Sequence, residues 1–499
     1  MNAPVYTEDV KRCFLPYGAV NTYLACGFTE FVVLHALTRQ HILFLLDVFL
    51  KEVVFMRDTD SRTKYRAALE IVSRLAHKGY SALFAGGYVR DTLLENEEKG
   101  DIDIATDALP QVVSSLFKHT VAVGIQFGVI IVIQRGIPFE VATFRSDDGI
   151  GDGRHPERIE FTDAHHDALR RDFTINGMFF DPITGRFLDF IGGRKDLSAK
   201  VIRAIGDPAQ RFKEDFLRLL RAVRFAARFD FSIEHSTWEA MQANAANITG
   251  ISAERIFTEH DRMLRQPHPD RAFLLLLESG LLLQNIPEVA ALVGVEQPAE
   301  FHPEGDVFAH TVKALGLMAP NPTSVLAWSV LLHDIGKKIT MRRADRIRFN
   351  NHHQAGAKLA HAVLKRMRAP NTLIDSVVAC IENHMNFMNV SGMRLSTLKK
   401  FLSRPTIEDE LELHRVDCLA SHGNLDNYYF VKDRLTAFAR EKIKPAPLIR
   451  GSDLKNLGFR EGPIFGKILH EVYDQQLDEK IRTHEDALSY VREQWLKKQ

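Results

Sequence analysis

The sequence predicts an α+β chain: a small mixed sheet with helices in its N-terminal part, followed by helices alone. Two observations carry this. Between Leu83 and Arg145, short apolar or alternating runs recur between turn residues, as strands with a buried face require. From Asp207 onward the apolar residues recur at helical spacing instead. At 499 residues the chain is long enough for three or four domains. Lysine plus arginine equals aspartate plus glutamate, at 64 each, so a nucleic-acid surface has to be a local patch. The four cysteines, Cys13, Cys26, Cys380 and Cys418, form no C-x-x-C pair. That usage suggests reduced thiols in a cytoplasm, with Cys380 and Cys418 as core residues of helices.

Residues 1–55 are apolar and aromatic, but Glu30, Arg39, Asp47, Lys51 and Glu52 interrupt them. No uncharged run reaches the roughly 20 residues of a membrane span, and the apolar stretch lies too far from a basic start for a secretory signal. The segment reads as a misplaced start ahead of Met56, or as a membrane-associating or partner-binding extension. Ser61 then caps a helix whose Tyr65, Ala68, Ile71, Val72 and Leu75 pack under the sheet.

The organising stretch runs from Leu83 to Thr106, L-F-A-G-G-Y-V-R-D-T-L-L-E-N-E-E-K-G-D-I-D-I-A-T. Leu83 to Ala85 reads as a buried strand. Gly86 and Gly87 permit a tight turn and close approach to a ligand, and Val89 to Leu94 reads as a short helix. Free N–H groups at that helix start, with Arg90 beside them, suit a triphosphate. A second strand carries Asp101 and Asp103 on one face, with Ile102 and Ile104 turned to the core. Two carboxylates beside a phosphate cradle are what a pair of magnesium ions needs for in-line phosphoryl or nucleotidyl transfer. The competing reading is a solvated strand edge after a glycine turn.

Pro110 to Phe117 follows as a helix and Gly128 to Ile133 as a buried strand. In Phe139 to Arg145, F-E-V-A-T-F-R, Glu140 and Ala142 share a face opposite Val141. Asp147 to Arg158 is glycine-rich and charged, and reads as a mobile loop. Arg170 to Met178, R-R-D-F-T-I-N-G-M, sets two guanidiniums beside a carboxylate, which suits phosphate oxygens and ribose hydroxyls. Asp207-Pro208 opens a helix expected to run to about Phe229, with Asp215 and Arg218 one turn apart on one face. Such a pair can imitate a complementary base edge, or form a surface ion pair. Arg211, Arg221, Arg224 and Arg228 make this region locally basic, and some of them are expected to face a nucleic-acid backbone or a triphosphate.

G-G-Y-V-R-D followed by D-I-D-I-A-T resembles the polymerase-beta-like nucleotidyltransferase head of the bacterial-type (class II) CCA-adding tRNA nucleotidyltransferases and the related poly(A) polymerases. The resemblance extends from about Met56 to near the C-terminus. It implies Asp101, Asp103 and Glu140 as catalytic carboxylates around Mg2+. Gly86, Gly87, Arg90, Arg171, Asp172 and Arg221 are then nucleotide-binding, with Arg171 and Asp172 in the sugar-recognition motif. E-D-x-x-R followed by L-R-A-x-R-F matches the base-reading motif at Glu214, Asp215 and Arg218. The loop Asp147–Arg158 corresponds to one that helps switch between nucleotides. Partners implied are tRNA, CTP and ATP, with neither DNA nor a membrane.

Further on, F-H-P-E-G-D-V-F-A-H-T, L-L-H-D-I-G-K, N-H-H-Q-A-G-A, E-N-H-M and H-R-V-D-C appear in turn. Adjacent His333-Asp334, bracketed by His310 and Asp417, resembles the HD superfamily of metal-dependent phosphohydrolases. His352, or its neighbour His353, and His384 complete a larger or dinuclear site. Mixed imidazole and carboxylate ligands favour manganese, nickel or iron over magnesium alone. The resemblance implies phosphatase or cyclic phosphodiesterase activity on RNA ends, or a module retained as a tRNA-binding body. The tail resembles a helical body that holds the tRNA elbow.

The expected organisation is an atypical extension (1–55), head (56–205), helical neck (206–285), HD domain (286–430) and helical tail (431–499). The expected function is template-independent CCA addition to tRNA. Alternatives are poly(A) polymerase, an enzyme adding only CC or only A, and an HD phosphohydrolase with an RNA-binding head. The chain ends K-K-Q without an arginine-rich run, which favours CCA addition over poly(A) synthesis.

Overall fold

The computed structural model describes residues 61–95, 100–124, 128–148, 158–298, 300, 302–438 and 443–496. The N-terminal extension and the centre of the 147–158 loop lie outside these residues. Helix 61–76 comes first, with Ala67, Ala68, Ile71, Val72 and Leu75 buried as the helical period requires. Its Tyr65 ring meets Phe84 edge-on, with centroids 5.7 Å apart, so the helix packs against the sheet.

The head sheet has seven strands in the order β3-β4-β5-β2-β1-β8-β9. These are β1 (Ala82–Ala85), β2 (Asp103–Thr106), β3 (Thr120–Gly124), β4 (Val129–Gln134), β5 (Ile137–Thr143), β8 (Phe179–Asp181) and β9 (Arg186–Leu188); β6 (Arg145–Asp148) and β7 (Arg158–Phe161) form a separate hairpin. All four residues of β1 are buried, which an apolar central strand explains. β1 runs antiparallel to β2, ending on the pair Ala85–Asp103. β2 runs parallel to β5, with Ile104 opposite Val141. One residue back on each strand stand Asp103 and Glu140, on the face opposite the core.

The second strand starts two residues later than its sequence pattern. It begins at Asp103, and Asp101 precedes it. After Ala85 the chain leaves the ladder at Gly86, whose φ is +66°, so β1 offers Asp101 no strand partner.

The neck departs from expectation more sharply. In place of one helix there are two, Pro208–Glu214 and Leu217–Phe229, broken at Asp215 (φ −156°, ψ 104°). In that extended conformation the Asp215 carboxylate accepts the Leu217 N–H at 3.0 Å, an unpaired donor at the start of the second helix. The remainder is helical apart from short hydrogen-bonded pairs, Val201–Ile202 beside Ser232–Ile233 and the hairpin Met341–Arg343/Ile347–Phe349. One contiguous apolar core runs from helix 61–76 through the neck to Ala420, with smaller clusters around Phe387 and Ile449. Cys380 and Cys418 are buried as expected, and burial pushes both thiols up to about 12. Among the described residues no helix is long and apolar enough to cross a membrane.

Candidate active sites

Between the head sheet and the neck lies a cavity of about 530 Å³. It gathers Gly86, Gly87, Arg90, Asp103, Glu140, Arg171, Asp172, Asp215, Arg218 and Arg221 from five separate elements. Gly86 stands at the entrance to the helix Gly87–Leu93 with its left-handed φ, and a Cβ there would lie 3.1 Å from Asp103 Oδ2. Backbone therefore closes directly onto the carboxylate, which only glycine allows without strain.

Burial pushes the Asp103 carboxyl up to about 6, with the Glu140 charge adding to it and Arg171 opposing. A buried Asp103 carboxylate with the Glu140 carboxylate beside it on the next strand is an unbalanced negative site, and a divalent cation fits it. Asp101 does not line this cavity. Its side chain is 90% exposed and pairs with Lys64 at 2.6 Å, a partner on helix 61–76.

The remaining head residues hold one another. Arg90 is only 3% exposed, donates to Asp91 (2.9 Å) and Asn176 (2.6 Å), and lies 4.6 Å from the Phe229 ring centroid. It lines the cavity while bracing its wall, because burial of a guanidinium demands partners. Asp172 is buried and accepts from the Phe173 N–H (2.8 Å), Asn176 (3.0 Å) and Arg221 (2.8 Å). Burial opposes its charge, but Arg221 and Asn176 outweigh that and hold the carboxyl well below the usual range. Arg171 donates to Asp167 at 2.9 Å and to the Asn176 carbonyl at 3.2 Å.

Asp215 and Arg218 face the same cavity without pairing to each other. Asp215 Oδ2 accepts from Arg255 at 2.6 Å. Arg218 donates to Glu214 and to the carbonyls of Arg211 (2.9 Å) and Arg170 (3.2 Å). A surface Asp215–Arg218 ion pair is thereby excluded. Arg224 is buried against Glu259 at 2.6 Å and does not line the cavity.

The second centre is compact. His310 comes from the helix Val307–Gly316, His333 and Asp334 follow the helix Ser324–Leu332, His352 opens His352–Arg366, His384 follows Asn371–Asn383, and Asp417 lies on Ile407–Ala420. Their ligand atoms converge. His310 Nε2 lies 3.1 Å from Asp417 Oδ1, His333 Nε2 lies 3.2 Å from Asp334 Oδ2, and His352 Nε2 lies 3.1 Å from His384 Nε2. Asp334 belongs to two groups able to hold an ion, one with His310 and His333, the other with His352 and His384. His352, and not its neighbour His353, belongs to the second of these groups. A Cβ on Gly336 would collide with the His352 carbonyl, so this glycine lets the two elements close.

The nitrogens turned away from the centre are fixed. His333, His352 and His384 donate Nδ1–H to the carbonyls of Val330, Phe349 and Ile381 at 2.9, 2.9 and 2.7 Å. Carbonyls only accept, so the Nε2 lone pairs face inward. Nε2 of His310 and His333 and Oδ2 of Asp334 are buried without a directed hydrogen bond, as unfilled ligand positions are. Burial and the neighbouring imidazoles push His384 down to about 3, leaving it neutral and able to ligate.

Sequence reasoning missed Arg255, Asn176, Asp167 and Lys64. Asn176 stood inside the quoted R-R-D-F-T-I-N-G-M. Arg255 and Lys64 meet their partners across 40 and 37 residues, and no local pattern marks them.

Residues 82–203 match the family described as poly A polymerase head domain, 230–292 the probable RNA and SrmB-binding site of polymerase A, and 308–419 the HD domain. Head and HD domains both imply divalent metal use. A CCA-adding enzyme of Geobacillus sp. (strain WCH70) is 43% identical over 220 residues, 44% of this chain and 54% of that one. The CCA-adding enzyme of Streptococcus pyogenes serotype M5 (strain Manfredo) is 31% identical over 407 residues, covering 77% of this chain and 98% of its own. The crystal structure of Bacillus stearothermophilus CCA-adding enzyme in complex with CTP superposes with a TM-score of 0.69 at 24% identity, over 87% of this chain and 98% of that one. Thermotoga maritima CCA-adding enzyme complexed with tRNA-CCA gives 0.53 at 19%, over 84% and 93%. Both likenesses support the fold: an α+β head with its sheet, then a helical body. On its sequence relatives, this chain belongs to the family of bacterial-type CCA-adding enzymes with an HD domain.

Proposed function

We propose that the chain completes tRNA 3′ ends, adding C, C and A from CTP and ATP without a nucleic-acid template, and that its HD centre hydrolyses phosphate esters on RNA ends. The observation that carries this reading is the head cavity, where Asp103 and Glu140 face Asp215 and Arg218 across a single nucleotide-sized space. The RNA 3′-oxygen bonds to the α-phosphorus of the incoming nucleotide and pyrophosphate leaves. Asp103 and Glu140, with Asp101 once Lys64 releases it, would hold Mg2+, which when bound would ease loss of the 3′-hydroxyl proton to water and offset the charge of the triphosphate. Arg171 and Asp172 take the ribose and phosphates, with Asn176 and Arg221 fixing their geometry.

Base choice follows from hydrogen-bond polarity. Cytosine and adenine each present an exocyclic amino donor beside a ring-nitrogen acceptor. A carboxylate (Asp215) and a guanidinium (Arg218) complement that edge. Uracil and guanine present the reverse order and leave both side chains unpaired, a costly outcome in a partly desolvated site.

At the HD centre His310, His333, Asp334, His352, His384 and Asp417 would hold a divalent transition metal, manganese, nickel or iron, which would supply Lewis-acid activation of water for hydrolysis. The functional division follows the head (56–205), neck (206–285), HD domain (286–430) and tail (431–499), the tail binding tRNA. Reduced, buried thiols fit a cytoplasmic protein. The test is incubation with tRNA lacking its 3′ end and labelled CTP or ATP, followed by sequencing of the product. C-C-A and a stop are expected, and an oligo(A) product contradicts the reading.

A further inference from the structure

Three of the four HD histidines are aimed by backbone carbonyls; His310 is not. Its Nδ1 lies 2.7 Å from Oε1 of Glu304, and the His302 Nδ1 lies 2.9 Å from the same oxygen. The Glu304 carboxylate is 6% exposed. We propose that Glu304 is a positioning residue of the HD centre, accepting the Nδ1–H of His310 so that its Nε2 faces Asp417 and Asp334 and binds a divalent ion more tightly. The inference rests on reading this centre as metal-binding.

Several observations support it. Glu304 sits in a loop tied down at its far end, where Asp306 accepts the Ala309 and Gly294 N–H groups at 2.8 and 2.6 Å. The two imidazole rings meet edge-on with centroids 5.0 Å apart, and His302 holds the same carboxylate oxygen in place. Glu304 Oε2 is buried without a hydrogen bond. Leaving a buried carboxylate oxygen unpaired is unfavourable, and a merely structural contact would not call for a charged group there. A carboxylate on the outer nitrogen of a ligating histidine fixes its tautomer and raises its basicity. His302, Glu304 and His310 could alternatively hold an ion of their own, which makes Glu304 a ligand.

The test is calorimetric titration of the metal-stripped full chain with Ni2+, comparing wild type, Glu304→Ala and Glu304→Gln, with His333→Ala as the blank for ions bound in the head. Thermal unfolding of the stripped chains checks that each variant is folded. Glu304→Ala is expected to weaken HD-centre binding roughly 10- to 100-fold with the number of ions unchanged. Glu304→Gln, whose amide oxygen accepts the same N–H, stays close to wild type. Wild-type affinity in folded Glu304→Ala overturns the proposal, as does an equal loss in both variants. Loss of one ion from the stoichiometry of Glu304→Gln also overturns it, by making Glu304 a ligand. If wild type binds no more Ni2+ than the His333→Ala blank, the metal reading of the centre itself falls, and the proposal with it.

Discussion

In the head cavity the charged side chains already hold one another, whereas in the HD centre they turn their ligand atoms inward on a common point. Asp172 is taken by Arg221, Asp215 by Arg255, Arg171 by Asp167 and Asp101 by Lys64. Among the described residues Asp103 and Glu140 stand side by side without an ion pair of their own, opposed by the more distant charges of Arg171 and Lys64. In the HD centre the outer nitrogens of His333, His352 and His384 are anchored on backbone carbonyls, and the inner nitrogens of His310 and His333 are left without directed hydrogen bonds. The difference matches two tasks. A site that must accept CTP, then ATP, over a growing RNA end gains from partners that exchange as each substrate arrives. A hydrolytic metal centre gains from ligands fixed in advance, since their ordering cost is met on folding.

The largest effect expected from breaking this contrast is on nucleotidyl transfer. Asp103→Ala should lower incorporation of both C and A by roughly 10³-fold while tRNA binding, read by gel shift, persists. Asp101→Ala should do the same even though its carboxylate rests on Lys64, because the proposal has it exchange partners. Near-normal turnover in Asp101→Ala would leave Asp103 and Glu140 as the whole metal site.

Next in size is base selection. Asp215→Ala and Arg218→Ala should each lower discrimination against UTP and GTP by on the order of 10²-fold, more than they slow chemistry with bound nucleotide. Single-nucleotide incorporation with all four NTPs on tRNA ending before the first C reads this directly. Slower but equally selective variants would move base choice to another element, such as the 147–158 loop.

Much of this was legible in the sequence, for reasons particular residues show. The side chains that converge at the HD centre were legible because five short motifs, which together resemble the HD superfamily, carried all six. Glu140 was legible from strand alternation, which placed it opposite Val141. The break at Asp215 was not, because E-D-F-L-R-L-L-R continues a helical period straight through it. What decides there is a carboxylate drawn to Arg255 on the helix Ala253–Arg265, a through-space contact that periodicity does not report. The placement of Asp101 off the strand was hidden for a similar reason: the D-I-D-I pattern is that of a strand, but the partner strand ends at the Ala85–Asp103 pair, two residues short of it.

A smaller effect sharpens the backbone part of the comparison. Gly86→Ala should cost roughly 1–2 kcal/mol in chemical denaturation, since alanine resists a φ of +66°. It should also slow incorporation, because the new methyl meets Asp103. An unchanged midpoint and rate would mean the turn relaxes freely. Smallest is the pH dependence of the Asp103 charge. Its folded pKa, about 6, lies above the ordinary 3.8, so ionisation destabilises the metal-free fold as pH rises through that window. In chelator, Asp103→Asn should therefore raise the melting temperature at pH 8, and the gain should shrink as pH falls from 6 towards 3.8. A constant gain across pH would remove the uncompensated pair from the account.

The most direct measurement sets the two centres against each other on one substrate. Wild type, Asp103→Ala and His333→Ala are each given tRNA lacking its 3′ end with CTP and ATP, and separately an RNA ending in a 2′,3′-cyclic phosphate. The account predicts that His333→Ala still completes C-C-A but no longer opens the cyclic phosphate, while Asp103→Ala opens it and adds nothing. Loss of addition in a folded His333→Ala chain, or hydrolysis that survives it, would contradict two separate centres.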